Sequence, residues 1–86
     1  MPRYLSQHTL ACLTRQGAEE LTARLNAATK VKACRVLFAM HDGKLFVEFD
    51  AGNREELEGW LAAEKFHFDW VLRIDYEASG GGLSPV

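Results

Sequence analysis

The chain has 86 residues, 48% of them hydrophobic, and a formal net charge of −2 at pH 7. This length predicts one domain with a core of modest size. Packing against a partner chain would add to the stability of such a domain. The weakly acidic balance argues against a nucleic-acid partner, which selects a basic surface. No apolar run approaches the roughly 20 residues of a membrane-spanning helix, so we also expect no membrane partner.

The start of the chain and its cysteines indicate a cellular compartment. The first four residues, MPRY, do not resemble a signal peptide. The two cysteines, Cys12 and Cys34, lack the CxxC spacing of a redox or metal motif. In a chain without an export signal, we expect reduced thiols and a cytoplasmic protein.

The first predicted element is a strand over residues 3–10 (RYLSQHTL). Side chains alternate between the two faces of a strand, so Tyr4, Ser6 and His8 share one face and Leu5 lies on the other. Because Leu5 is apolar, we expect Leu5 to point into the core. The same alternation then places Tyr4, Ser6 and His8 on the second face of the sheet.

The first predicted helix follows Thr14, whose hydroxyl can accept a hydrogen bond from an unpaired N–H of the first turn. Apolar residues recur at helical spacing from Ala18 to Ala28. Glu20 and Arg24 are four residues apart on the outer side and can pair. The pattern is typical of an amphipathic helix that covers one face of a sheet.

Residues 31–51 (VKACRVLFAMHDGKLFVEFDA) predict a β-hairpin. Asp42-Gly43 is a preferred pair for a two-residue type I′ turn, which would place Met40 opposite Leu45 and Arg35 opposite Asp50. One face of this hairpin is then entirely apolar and must be buried against the helices. That predicted core face consists of Val36, Phe38, Met40, Leu45, Val47 and Phe49.

The remaining elements are a helix, a strand and a tail. Asn53 and Glu56 have the spacing of a capping box, which predicts a second helix running to about Lys65. Residues 68–76 (FDWVLRIDY) alternate as a last strand, with Ile74 facing the core. Residues 78–86 (ASGGGLSPV) are rich in Gly and Ser, and we expect a flexible tail there.

The predicted order is strand, helix, strand, strand, helix, strand, which is typical of a ferredoxin-like α+β domain over residues 1–77. Right-handed crossovers place the first and third strands at the centre of a four-stranded antiparallel sheet. Both helices then cover one face of this sheet. Leu5 and Ile74 are expected to join the core beneath them.

The second sheet face is predicted to be half apolar, which indicates an interface or a ligand groove. We expect two copies to pack these faces together with twofold symmetry, as a homodimeric α/β barrel. A partly wetted sheet surface is the simpler alternative. The candidate pocket or interface residues are Tyr4, Ser6, Leu37, Phe46, Glu48 and Arg73.

Three histidines are candidate metal ligands. His8 and His41 are expected at the same edge of the sheet, about 9–10 Å apart, and His67 lies just before the last strand, near that edge. Imidazole is a common ligand of divalent transition metals. Three histidines are, however, unremarkable in a chain of this size, and no spacing in the chain predicts catalytic residues.

The segments PRYLSQHTL, GKLFVEFDA and VLRID resemble a small ferredoxin-like family, some of whose members are described as nickel-binding. The resemblance covers roughly residues 2–76 and implies a cytoplasmic homodimer that binds nickel or a similar ion, with His8 as the position carried over. Two alternatives stay open at this point. One is a small-ligand binder or cofactor-poor enzyme of the dimeric barrel type, and the other is a structural or regulatory interaction module.

Overall fold

The computed structural model describes all 86 residues as an α+β fold with a four-stranded antiparallel sheet and two helices, which confirms the predicted class. Neither helix is long and apolar enough to cross a membrane. The elements are β1 (Arg3–Thr9), α1 (Arg15–Asn26), β2 (Lys32–Ala39), β3 (Lys44–Asp50), α2 (Arg54–Ala63), β4 (Trp70–Ile74), β5 (Tyr76–Ser79) and β6 (Gly82–Pro85).

The sheet has the strand order β2-β3-β1-β4, so β1 and β3 lie in its centre. Both helices contribute to one core against the same sheet face: Leu25 comes from α1, and Leu57 and Leu61 come from α2. Beneath them, every second residue of β3 is fully buried. Burial of this continuous apolar layer is the main stabilising contribution to a domain of this size.

Both helix N-termini are capped as predicted. The Thr14 side chain accepts a hydrogen bond from the N–H of Gly17 at 3.0 Å, and the Asn53 side chain accepts one from the N–H of Glu56 at 2.8 Å. Each cap pairs a backbone donor that the helix itself cannot satisfy. The guanidinium of Arg54 also donates to the carbonyl of Val71, which ties the start of α2 to β4.

The two-residue turn predicted between β2 and β3 is wrong. The strands pair Ala39 with Lys44, so the loop has four residues, and its backbone bonds join Asp42 N to Ala39 O and Gly43 N to Met40 O. A type I′ turn needs positive φ at both central residues, and here Gly43 has positive φ (63°) but Asp42 does not.

The register of the hairpin therefore moves by two residues, and a shift by an even number leaves every side chain on its predicted face. Val36 and Phe38 still pack against the core. Met40 instead lies in the loop and is 42% exposed. Arg35 pairs across the strands with Glu48 rather than with Asp50. The register shifts between Ala33 and Arg35, and the pairing then continues to Lys32, which lies opposite Asp50.

The predicted faces of β1 are reversed. Tyr4, Ser6 and His8 are buried on the helix-covered face, whereas Leu5 lies on the opposite face. Two polar residues can occupy the core because their side chains form hydrogen bonds there, which removes the cost of burying them unpaired. On β4, Ile74 is likewise outside the core cluster, and Val71 takes its place.

The residues predicted as a tail form a hairpin instead. β5 and β6 pair antiparallel from Tyr76–Pro85 to Ser79–Gly82, around a two-residue turn at Gly80-Gly81. Both of these glycines have positive φ, at 60° and 83°, which a type I′ turn requires and glycine adopts without steric cost. The chain therefore ends in a second, two-stranded sheet.

Candidate functional site

His8 is fully buried, and both of its ring nitrogens are engaged. Nδ1 lies 2.7 Å from the carbonyl oxygen of His67, and Nε2 lies 2.7 Å from the hydroxyl of Ser6. A carbonyl only accepts, so Nδ1 carries the proton and donates to it. Nε2 of the neutral ring then accepts from the Ser6 hydroxyl, and His8 has no free nitrogen.

The position of this imidazole is fixed by the turn that follows α2. Lys65 adopts a positive φ of 56°, and the N–H of Phe66 donates to the carbonyl of Leu61 at 2.9 Å. This places the Phe66 ring on His8, stacked at a centroid distance of 4.0 Å and an interplanar angle of 12°. Burial lowers the pKa of His8, so the neutral ring is the form that the core holds.

The three predicted metal ligands are not brought together into a site. His41 lies exposed in the β2–β3 loop, His67 is exposed after α2, and His8 is sealed in the core. No group of three or more His, Cys, Asp or Glu side chains is arranged to hold a metal ion. With no free nitrogen at His8, the donor set present does not fit a nickel site within one chain.

The cavities of the chain are surface grooves with volumes of about 310 to 550 Å³. The largest lies beside α2, where Lys30, Glu56 and Trp60 contribute to its wall. His67 borders a groove of about 400 Å³, but His8, His41 and Arg73 border none of these five. None of the six residues predicted for a pocket or interface borders any of these five grooves.

The sheet face turned away from the helices carries uncovered apolar side chains, and we call it the open face. Leu72 is 51% exposed and Leu37 is 45% exposed. The ring centroids of Phe46 and Trp70 lie 6.4 Å apart on this face. The apolar residues of the open face are Leu5, Leu37, Phe46, Trp70, Leu72 and Ile74. An uncovered patch of this kind usually marks an interaction surface.

Charges of both signs accompany the apolar residues on the open face. Arg3 contacts Asp50 at 2.8 Å and Glu48 at 3.5 Å, and Arg35 contacts Glu48 at 3.7 Å. The hydrogen bond from Arg3 holds the pKa of Asp50 below its ordinary value. These ion pairs therefore present groups of both signs that compensate each other on the face.

A polar cluster lies at the end of the open face that is closest to His67. The Asp69 carboxylate accepts hydrogen bonds from Thr9 at 2.6 Å and from Gln7 at 3.0 Å, and Lys44 reaches Thr9 at 2.7 Å. These bonds, first of all the one from Thr9, lower the pKa of Asp69. A polar border around an apolar centre is the usual arrangement of a protein interface.

No protein-family model, curated protein or solved structure matches the chain. The resemblance to a small ferredoxin-like family therefore stays a prediction, and function has to be inferred from the surfaces themselves. Of the six residues predicted for a pocket or interface, Leu37, Phe46 and Glu48 lie on the open face. The prediction that Tyr4 and Ser6 lie on this face is wrong, because both are buried under the helices.

Arg73 is the sixth of these residues, and it is not on the open face either. It pairs with Tyr4 across β1 and β4, a position on the helix side of the sheet, yet its side chain is 61% exposed at the edge. Its guanidinium lies 3.6 Å from Asp75. Leu5 and Ile74 were predicted to face the core because they are apolar, but both lie on the open face together with Leu72.

Proposed function

We propose that this protein is a homodimeric interaction module, in which two copies pack their open faces together as a ferredoxin-like dimeric α/β barrel. The observation that carries the proposal is the set of apolar side chains on the open face, with Leu37 and Leu72 about half exposed. A monomer of this size gains little from keeping such a surface in water, and a second copy would remove it from solvent.

The charges on the open face favour a second copy over an unrelated partner. Arg3, Arg35, Glu48 and Asp50 are among the groups that give the face charges of both signs. In a twofold dimer the same surface meets itself, so a face needs both signs to avoid repulsion at the contact. A face with one sign of charge would instead fit a partner of opposite charge.

A charge introduced on the open face tests this proposal. Leu72→Lys places an ammonium group at a position that is exposed in one chain but buried in the dimer. We expect its dimer dissociation constant to rise at least about tenfold, which corresponds to about 1.4 kcal/mol. Met40→Lys is the matched control, because Met40 is similarly exposed at 42% but lies in the loop beyond β2.

Sedimentation equilibrium over a range of concentrations measures both dissociation constants. Circular dichroism of each variant checks that the chain remains folded, as the exposure of both positions predicts. A Leu72→Lys chain that dimerises as well as Met40→Lys and the wild type would contradict packing through the open face. Dimerisation would then have to use a different surface.

A further inference from the structure

The β5–β6 hairpin, which we call the arm, has one apolar face and one polar face. Residues paired across an antiparallel ladder point to the same side, and side chains alternate along each strand. The pairs Tyr76–Pro85 and Ala78–Leu83 therefore share one face, which is apolar throughout. The alternate pairs, Glu77–Ser84 and Ser79–Gly82, form the other face, which is polar.

Nothing in the chain covers the apolar side of the arm. Every residue of β5 and β6 is exposed, with Tyr76 at 61% and Leu83 at 71%. The one hydrogen bond that closes the arm at its base joins Val86 N to Asp75 O at 3.1 Å. A single two-stranded hairpin is at best marginally stable in water, so an amphipathic one needs a surface to lie on.

The arm continues from the open face. The open-face positions of β4 are Trp70, Leu72 and Ile74, and Tyr76 follows at the next alternate position, with only Asp75 between the two strands. The alternation of apolar residues along the sequence therefore continues from the open-face positions of β4 to Tyr76, the first residue on the apolar side of the arm. A copy docked on the open face would meet both surfaces at the same time.

The size of the sheet indicates why a dimer would use the arm. Four strands about 4.8 Å apart and about seven residues long cover roughly 19 Å by 24 Å, or about 460 Å² in projection. Stable interfaces bury about 800 Å² of accessible surface per partner. Because side chains make accessible surface larger than its projection, the open face is of the order of a stable interface, and the eight residues of the two arm strands would enlarge it.

We infer that the arm is a dimer clasp: its apolar side, formed by Tyr76, Ala78, Leu83 and Pro85, packs on the open face of a second copy of the chain. The inference rests on the proposed homodimer and adds the segment that holds it. Twofold symmetry supplies two such contacts per dimer, one from each chain. The polar side, with Glu77 and Ser84, stays in solvent.

A chain that ends at Asp75 and the double variant Tyr76→Ser/Leu83→Ser test the clasp. Both remove the apolar side of the arm, and both leave the core intact because no arm residue is buried. The matched control is Glu77→Gln/Ser84→Thr, which alters only the polar side. Sedimentation equilibrium gives the dissociation constants, and circular dichroism checks folding.

We expect both test variants to raise the dimer dissociation constant at least about tenfold, while the control stays within about twofold of the wild type. If the test variants dimerise as tightly as the wild type, the clasp is overturned and the homodimer stands. If the wild-type chain is monomeric at every concentration, the proposed function fails and the clasp fails with it.

Contacts between chains distinguish a clasp from an arm that only stiffens its own chain. In a mixed sample of isotope-labelled and unlabelled protein, filtered nuclear Overhauser spectra detect only contacts between copies. We expect cross-chain contacts from the Leu83 methyl groups to the ring of Phe46 or Trp70. Contacts of Leu83 that arise only within one chain would overturn the inference.

Discussion

Ser6→Ala removes the hydroxyl that donates to Nε2 of His8 at 2.7 Å in the fully buried core. Nδ1 remains committed to the carbonyl of His67, so the ring cannot switch tautomer to compensate. A buried acceptor left without a partner costs about 1–3 kcal/mol. In a domain of this size each kcal/mol corresponds to about 4–8 °C, so we expect the melting temperature to fall by about 4–24 °C.

Urea unfolding at neutral pH and fixed protein concentration, followed by circular dichroism, measures the loss of stability directly. Ser79→Ala is the control, because it removes a serine hydroxyl that is exposed on the polar side of the arm. Its effect should stay within about 0.5 kcal/mol. If Ser6→Ala costs no more than Ser79→Ala, the buried pair of Ser6 and His8 contributes nothing, and the account of the core is wrong.

Two further predictions concern pH and glycine. Burial lowers the pKa of His8 below its ordinary 6.5, so on acidification His8 is protonated in the unfolded chain before it is protonated in the folded chain. The contribution of His8 to the free energy of unfolding is therefore fully present above pH 6.5. It falls below pH 6.5 by at most about 1.4 kcal/mol per pH unit. Urea midpoints across that range should show the slope, and His8→Gln should reduce it; an unchanged slope would exclude His8 as its source. Gly43→Ala should destabilise by about 1–2 kcal/mol, because φ is +63° and the new Cβ would lie 3.0 Å from the carbonyl of Leu10. At Gly59 in α2 an added Cβ meets open space, so Gly59→Ala should stabilise the fold by about 0.4–1 kcal/mol. The melting temperatures of the two variants should therefore shift in opposite directions, and a shift in the same direction would contradict the structure.

The helices and the faces of the central hairpin were predictable because each depends on a local pattern. Thr14 and Asn53 act through their own side chains on the next turn of backbone, and sequence spacing reports this directly. The turn was less predictable, because Asp42-Gly43 fits more than one loop length. The carbonyl of Gly43 accepts a hydrogen bond from the N–H of Leu10 at 2.9 Å, a contact from outside the hairpin that its own sequence does not contain.

The two faces of β1 could not be assigned from hydrophobicity, because each face carries one large apolar side chain, Tyr4 on the helix-covered face and Leu5 on the open face. Leu5 suggested the wrong face. The deciding signal was the spacing of Ser6 and His8, two residues apart on one strand face, where each can satisfy the other. Their third partner, the His67 carbonyl, and the stacked ring of Phe66 come from a distant turn.

The arm was missed because a Gly/Ser-rich composition at a chain end is typical of a flexible tail. Gly80-Gly81 is nevertheless a favoured pair for a type I′ turn, and Ala78, Leu83 and Pro85 stand at positions that pair on one face around it. The turn residues and the alternation were both in the sequence. They are informative only when the two flanking segments are aligned against each other.

The mass of the tag-free wild-type chain in solution decides whether a second copy covers the open face. Sedimentation equilibrium should give twice the chain mass of 9.7 kDa, with dissociation only on dilution. A mass of 9.7 kDa at the highest attainable concentration would leave the open face in solvent and contradict the account.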